Sequence, residues 1–160
     1  MTRPQLVDGG VYYNLGLETA YKNYQTVLVS NGGAPFEVEK KVPVNWAGLG
    51  ARVISLVDNQ VLSLRKRVLL GALTRGERLG AFWDIEQDIA VHGCPDSLPC
   101  DVEKTRKLAK IDTDLAEKEP KIQKRLINWG YALSDAAMRA HVNSGWQRPQ
   151  NFPYPDAGVG

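Results

Sequence analysis

Thr26-Val-Leu-Val-Ser30, which runs into Asn31-Gly-Gly33, is the stretch of sequence that decides the fold class. A continuous run of β-branched and apolar residues that ends in turn formers is typical of a strand buried on both faces. Segments of helical character lie on either side of it, from Glu18 to Tyr24 and from Trp46 to Arg75. Strands mixed with long helices predict an α/β layered architecture.

Two long segments have the periodicity of amphipathic helices. Between Trp46 and Arg75, apolar residues recur at three- and four-residue steps, which predicts a helix in one piece or with a single break. Few basic residues lie on its polar side, Arg65-Lys-Arg67 among them, so we expect it to pack on a sheet rather than lie on lipid. The second helix begins at Pro120, a residue that a first helical turn tolerates, and ends near Val142.

Three shorter segments complete the predicted organisation. Ala81 to Ile89 alternates well enough for a strand of the same sheet. Residues 102–118 predict a charged helix or a pair of helical turns. From residue 143 to 160 the chain has three prolines, three glycines and no periodicity, so we expect a loose tail after a single domain that ends at residue 142.

The composition excludes several classes of protein. The 20 basic and 18 acidic residues are interspersed, which argues against a nucleic-acid-binding protein. The stretch from Thr26 to Phe36, which has no charged side chain, is too short to span a membrane and contains turn formers. No basic segment with an apolar run follows Met1, so the sequence predicts a cytoplasmic protein, and a peripheral position on a membrane stays open.

The cysteines and histidines do not form an obvious catalytic or metal-binding motif. Cys94 and Cys100 could close a small disulfide loop, but reduced thiols are the expected state in a cytoplasmic chain. A zinc site using His92 with both cysteines would lack a fourth ligand. We expect His141 to be a helix-end residue, because a cation near a helix C-terminus is favourable. We therefore predict no metal and no cofactor.

The segment from Leu6 to Gly16 is the strongest candidate for chemistry. It places one carboxylate, Asp8, at the end of a predicted strand, and Gly9 and Gly10 let other groups approach closely. The alternative is that Asp-Gly-Gly is simply a turn, since these residues are common turn formers. No Gly-x-Ser-x-Gly nucleophile elbow occurs in the chain.

This segment resembles the Asp-Gly-Gly block of patatin-like phospholipases. The resemblance continues through residues 26–36 and returns at residues 125–137, in the order in which the family shows these blocks. It implies that residues 1–142 are the C-terminal part of a patatin-like hydrolase domain. The implied fold is a layered sandwich with a central mixed sheet and flanking helices.

The resemblance also implies a Ser-Asp dyad that hydrolyses lipid or other acyl esters. Asp8 matches the base, and Gly9, Gly10 and Asn14 form its supporting loop. The family's nucleophilic serine and oxyanion loop lie upstream of this block and are absent from the 160 residues, so we expect the chain alone to be inactive. Tyr13 and Asn31 depart from the family's common pattern.

Two other functions stay open at this stage. The chain could be a truncated relative that binds or regulates without catalysis, or it could bind lipid passively through the long apolar helix. If upstream strands are missing, its sheet edges and apolar faces would be exposed and could pair with another chain.

Overall fold

The computed structural model describes residues 15–33, 35–36, 41–114 and 116–159. The described elements, in chain order, are α1 (Leu17–Asn23), β1 (Thr26–Asn31), α2 (Trp46–Thr74), β2 (Leu79–Asp84), a 3-10 turn (Ile89–His92), α3 (Val102–Ala109) and α4 (Pro120–His141). The chain divides into two compact units. The first comprises the described residues within 1–25 and 36–78, and the second comprises those within 26–35 and 79–160.

The two described strands form a parallel pair in the second unit. Thr26 lies opposite Leu79, and the register continues to Asn31 opposite Asp84. β1 therefore confirms the predicted strand, and the mixture of helices and sheet confirms the α/β class. Burial on both faces was a wrong expectation, because Val27 and Val29 are buried while Leu28 between them is 53% exposed.

β2 begins and ends earlier than the predicted strand from Ala81 to Ile89. It starts at Leu79 and includes Gly80, whose φ of 132° is one that side-chain-bearing residues rarely adopt. A Cβ at this position would lie 1.8 Å from the Val27 carbonyl oxygen, so the close approach of the two strands requires glycine. The strand ends at Asp84 because the chain turns there: the Asp84 amide donates to Gln87 Oε1 at 2.8 Å.

In the first unit, α2 is one continuous helix of 29 residues without a break. Its start is capped by Asn45, whose side-chain oxygen accepts a hydrogen bond from the Gly48 amide at 2.7 Å. Only Leu69 and Ala72, near its C-terminal end, are buried. The predicted packing of α2 on a sheet stays a prediction, because both described strands belong to the second unit.

The second unit has its core around α4. Pro120 occupies the first turn of this helix, as the sequence predicts. The buried core cluster consists of Ile89, Leu98, Leu108, Trp129, Ala132, Leu133, Ala136 and Val159. α3 contributes Leu108 and is shorter than predicted, since it ends at Ala109 rather than near Lys118. Its first turn is capped by Asp101, which accepts hydrogen bonds from the Glu103 and Lys104 amides.

The last segment of the chain has no helix or strand between residues 143 and 159, but its end is not loose. The buried Asn128 side chain donates to the carbonyl oxygens of Tyr154 at 2.8 Å and Gly158 at 2.7 Å, and it accepts from the Tyr154 amide at 2.9 Å. Val159 is buried in the core cluster. The predicted loose tail has no helix or strand, but the Asn128 side chain, Val159 and Phe152 hold its end against the core.

None of the helices in the described ranges combines the length and the apolar character needed to cross a membrane.

Candidate functional site

The four residues that the sequence nominates for catalysis lie outside the described residues. They are Asp8, Gly9, Gly10 and Asn14. The Ser-Asp dyad and its supporting loop therefore stay predictions.

The described structure brings a different pair of polar residues together at the carboxyl ends of β1 and β2. Asn31 Nδ2 donates to Asp84 Oδ2 at 2.8 Å, and the Glu86 amide donates to the other oxygen of Asp84 at 3.3 Å. Asp84 is buried, with 7% of its surface exposed. In open α/β sheets this edge is where ligands bind, so the pair occupies the position expected of a functional site.

A cavity of about 100 Å³ adjoins Asn31 of this pair, and Asp84 is not part of its lining. It is lined by Ser30, Asn31, Gly32, Trp83, Ile85, Leu126, Trp129, Gly130 and Leu133. One wall is fixed by a hydrogen bond from the indole of Trp129 to the Ile85 carbonyl oxygen at 3.0 Å. Because a water molecule occupies about 30 Å³ in the liquid, the cavity has room for a small group or one side chain and is too small for a whole lipid.

Sequence reasoning singled out Asn31 only as a departure from the family pattern, and it did not single out Asp84. Asp84 is one of three alternating acidic residues with Glu86 and Asp88, and nothing in the sequence marks which of them ends the strand. Asp84 ends the strand because the chain turns there, with the Asp84 amide donating to Gln87 Oε1.

A histidine pair joins the 3-10 turn to the end of α4 in the second unit. His92 Nδ1 and His141 Nε2 are 3.3 Å apart, and the two rings meet edge to face. Burial and the neighbouring imidazole both lower the pKa of His92, burial being the larger cause. His141 is the last residue of α4, which confirms the expected helix-end position.

The two cysteines are free thiols close to the same core. Burial raises the pKa of Cys100 to about 11, and the pKa of Cys94 is raised by burial and by its hydrogen bond to Asp96. A thiol is a nucleophile only as its thiolate, so neither cysteine is activated for covalent catalysis. Among the described residues, no group of three or more histidine, cysteine or acidic side chains is arranged to hold a metal ion.

Arg139 on α4 ties the cysteine loop to the helix. It donates to Asp96 at 2.6 Å and forms a second ion pair with Asp135 at 2.8 Å. The Arg139 side chain is buried, 6% exposed, and the two carboxylates compensate the charge of its guanidinium. These two ion pairs hold the cysteine loop against α4, which is a structural role.

The first unit contains a larger groove of about 360 Å³ along α1 and α2. Its lining consists of Leu17, Glu18, Tyr21, Lys22, Leu64, Arg65, Val68 and Leu69. Glu18 lies 3.5 Å from Arg65 at its side, so the groove combines an apolar surface with charged groups.

Comparison with known proteins does not identify the chain: no family model matches it, and neither the curated proteins nor the solved structures show a significant similarity.

Proposed function

We propose that this chain is a segment of a patatin-like serine acyl hydrolase that supplies the base Asp8 for hydrolysis of a lipid or other acyl ester. The nucleophilic serine and the oxyanion loop would come from polypeptide upstream of residue 1. The observation that carries the proposal is the presence of three sequence blocks, at residues 8–10, 26–36 and 125–137, in the order typical of that family.

The geometry of the second unit is consistent with this proposal. The same cavity is lined by Ser30, Asn31 and Gly32 of the second block and by Leu126, Trp129, Gly130 and Leu133 of the third block. That cavity lies where the parallel strands end, at the edge of the sheet on which α/β enzymes place their catalytic groups. Blocks that are far apart in sequence and adjacent in space are what a shared site requires.

In the proposed reaction, the serine oxygen attacks the ester carbonyl carbon while Asp8 accepts the hydroxyl proton. The alcohol leaves with that proton, and water then hydrolyses the acyl-enzyme. An ordinary aspartate, with a pKa of about 3.9, is a weak base for a serine hydroxyl. The site must therefore raise the basicity of Asp8 by partial burial, or stabilise the oxyanion strongly enough that less basicity is needed.

The layered sandwich with a central mixed sheet is part of the same proposal. Two parallel strands are fewer than a stable sheet normally has, and Leu28 and Leu79 of this pair are exposed. Upstream strands that pair beside them would complete the central mixed sheet of a layered sandwich and cover these side chains.

The test is an esterase assay on the chain expressed together with its upstream coding region. We expect hydrolysis of a chromogenic short-chain ester, and we expect Asp8→Asn to lower kcat/KM about 10³-fold or more. Asp58→Asn, which changes an exposed carboxylate on α2, is the matched control and should keep full activity. The 160 residues alone should have no esterase activity.

Two results would overturn the proposal. Activity that survives Asp8→Asn would remove the dyad assignment. An inactive joined protein that folds and binds a partner would instead favour a non-catalytic binding or regulatory relative.

A further inference from the structure

We infer that the cavity at the carboxyl ends of β1 and β2 binds an aliphatic chain of up to about four carbons, and that Gly130 keeps this cavity open. As the site for the acyl chain of an ester, the cavity rests on the proposed function and narrows its substrate class to short-chain acyl esters. The binding of a small aliphatic molecule does not depend on catalysis.

The cavity combines an apolar interior with a polar rim. Trp129 and Leu133 of the lining are buried, whereas Ser30 and Gly32 are exposed and mark the opening. The indole N–H of Trp129 is already donated to the Ile85 carbonyl oxygen, so this residue offers the cavity only apolar ring surface. No charged side chain is among the described residues that line the cavity. An ion would lose its hydration there without compensation, so the interior favours an aliphatic group.

The volume of the cavity limits the length of that group. An apolar cavity of about 150 Å³ holds benzene, which has six carbons, so a cavity of about 100 Å³ has room for about four carbons. A butyryl group fits this space, whereas the end of an octanoyl group would remain in solvent. The cavity therefore distinguishes short acyl chains from long ones.

Gly130 is the residue that links the cavity to a function. It lies between Leu126 and Leu133 on the face of α4 that lines the cavity. Glycine destabilises a helix interior relative to alanine, and it is required where φ is positive or where another group approaches closely. Neither requirement holds here, because Gly130 is not among the glycines with positive φ and a Cβ there would meet no atom of the described residues within 4 Å. Its role is to leave the space beside it open.

The first experiment measures binding to the 160-residue chain by NMR titration with butyramide, the neutral amide of butyric acid. The indole N–H signals of the four tryptophans are the reporters. We expect saturable shifts at Trp83 and Trp129, which line the cavity. The signals of Trp46 and Trp146, which are not part of the lining, should not move.

Variants at Gly130 test its role directly. Gly130→Leu should weaken butyramide binding about tenfold or more, because the leucine side chain occupies the cavity. Gly130→Ala adds one methyl group and favours the helix, and it should weaken binding about threefold. Ala140→Leu adds a leucine at an exposed position of the same helix and is the matched control. Circular dichroism should show the same helix content in all three variants.

The second experiment measures the acyl-chain preference of the protein joined to its upstream region. We expect kcat/KM for a chromogenic butyrate ester to exceed that for the octanoate ester of the same alcohol about tenfold or more. Gly130→Leu should lower the ratio of butyrate to acetate hydrolysis about tenfold. Ala140→Leu should leave this ratio unchanged.

Failure of this inference and failure of the proposed function give different results. A joined protein that binds butyramide but has no esterase activity would remove the proposed function and retain the cavity as a binding site. Absence of shifts at Trp83 and Trp129, or unchanged shifts in Gly130→Leu, would overturn the inference. So would binding by the 160-residue chain that is lost in the joined protein, because an upstream side chain would then be the occupant of the cavity.

Discussion

α2 and α4 are both amphipathic in sequence, yet the molecule uses them in opposite ways. α4 buries seven residues, among them Trp129 and Leu133, whereas the longer α2 buries only Leu69 and Ala72. Apolar periodicity therefore predicts the helix in both cases and predicts its burial in only one. The difference lies in the surroundings: α4 has strands, the 3-10 turn and the last segment of the chain packed around it.

The largest expected difference between the two helices is the effect of removing a tryptophan from each. Trp129→Ala should lower the free energy of unfolding by about 3–5 kcal/mol, because it leaves a cavity and removes the hydrogen bond to the Ile85 carbonyl. Trp46→Ala should change it by no more than about 0.5 kcal/mol, since the side chain contributes little to packing. Urea unfolding measures both, and equal losses would contradict the contrast between the helices.

A smaller effect is expected where α4 holds the last segment of the chain. Asn128→Ala removes three hydrogen bonds to Tyr154 and Gly158 and should cost about 2 kcal/mol. The segment after Val142 should then become open to proteolysis and to amide exchange, while the helix itself stays folded. Asn143→Ala, which changes an exposed side chain nearby, is the control. Unchanged protection in the Asn128 variant would show that the apolar contacts of Phe152 and Val159 with the core cluster are enough to anchor the segment.

The smallest expected effect is a pH dependence of the free energy of unfolding. It arises from His92, which contacts His141 at the C-terminal end of α4. The lowered pKa of His92 means that the unfolded chain binds this proton more tightly than the folded chain does. Stability should therefore be full above about pH 6.5 and fall as the pH drops below it, by less than about 1.4 kcal/mol per pH unit, until the pH passes the lowered pKa.

Urea midpoints at pH 7.5 and 5.5 measure this dependence, and His92→Gln should flatten it. His92 and His141 are the two histidines of the chain, so His141→Gln separates the effect of burial from that of the neighbouring ring. A slope that persists in the double variant would assign the dependence to carboxyl groups instead.

The sequence places α2, α4 and β1 to within a residue at each end, and it places α3 and β2 less well. Pro120 and the spacing behind it predict α4 to within a residue of its observed end, and the α2 prediction exceeds the helix by one residue. β2 could not be placed as well, because its start depends on Gly80 approaching the Val27 carbonyl, which is a contact between distant residues. Local patterns were sufficient for β1, α2 and α4, whereas the start of β2 depends on its partner strand.

The candidate site was harder to predict for the same reason. Asn31 and Asp84 are 53 positions apart, and each looks like an ordinary turn residue by itself. Only the parallel register of β1 and β2 brings them together at one edge. The Asp8 motif was recognisable because it is local, and its role stays a prediction.

The parallel register has a further consequence during synthesis of the protein. β1 emerges from the ribosome well before β2, since paired residues such as Asn31 and Asp84 are separated by 53 positions. At about 5–20 residues per second, β1 waits roughly 3–10 s for its partner. Throughout that interval its valines and its backbone hydrogen-bonding groups are open to other nascent chains, so a chaperone that shields this strand would raise the yield of folded protein.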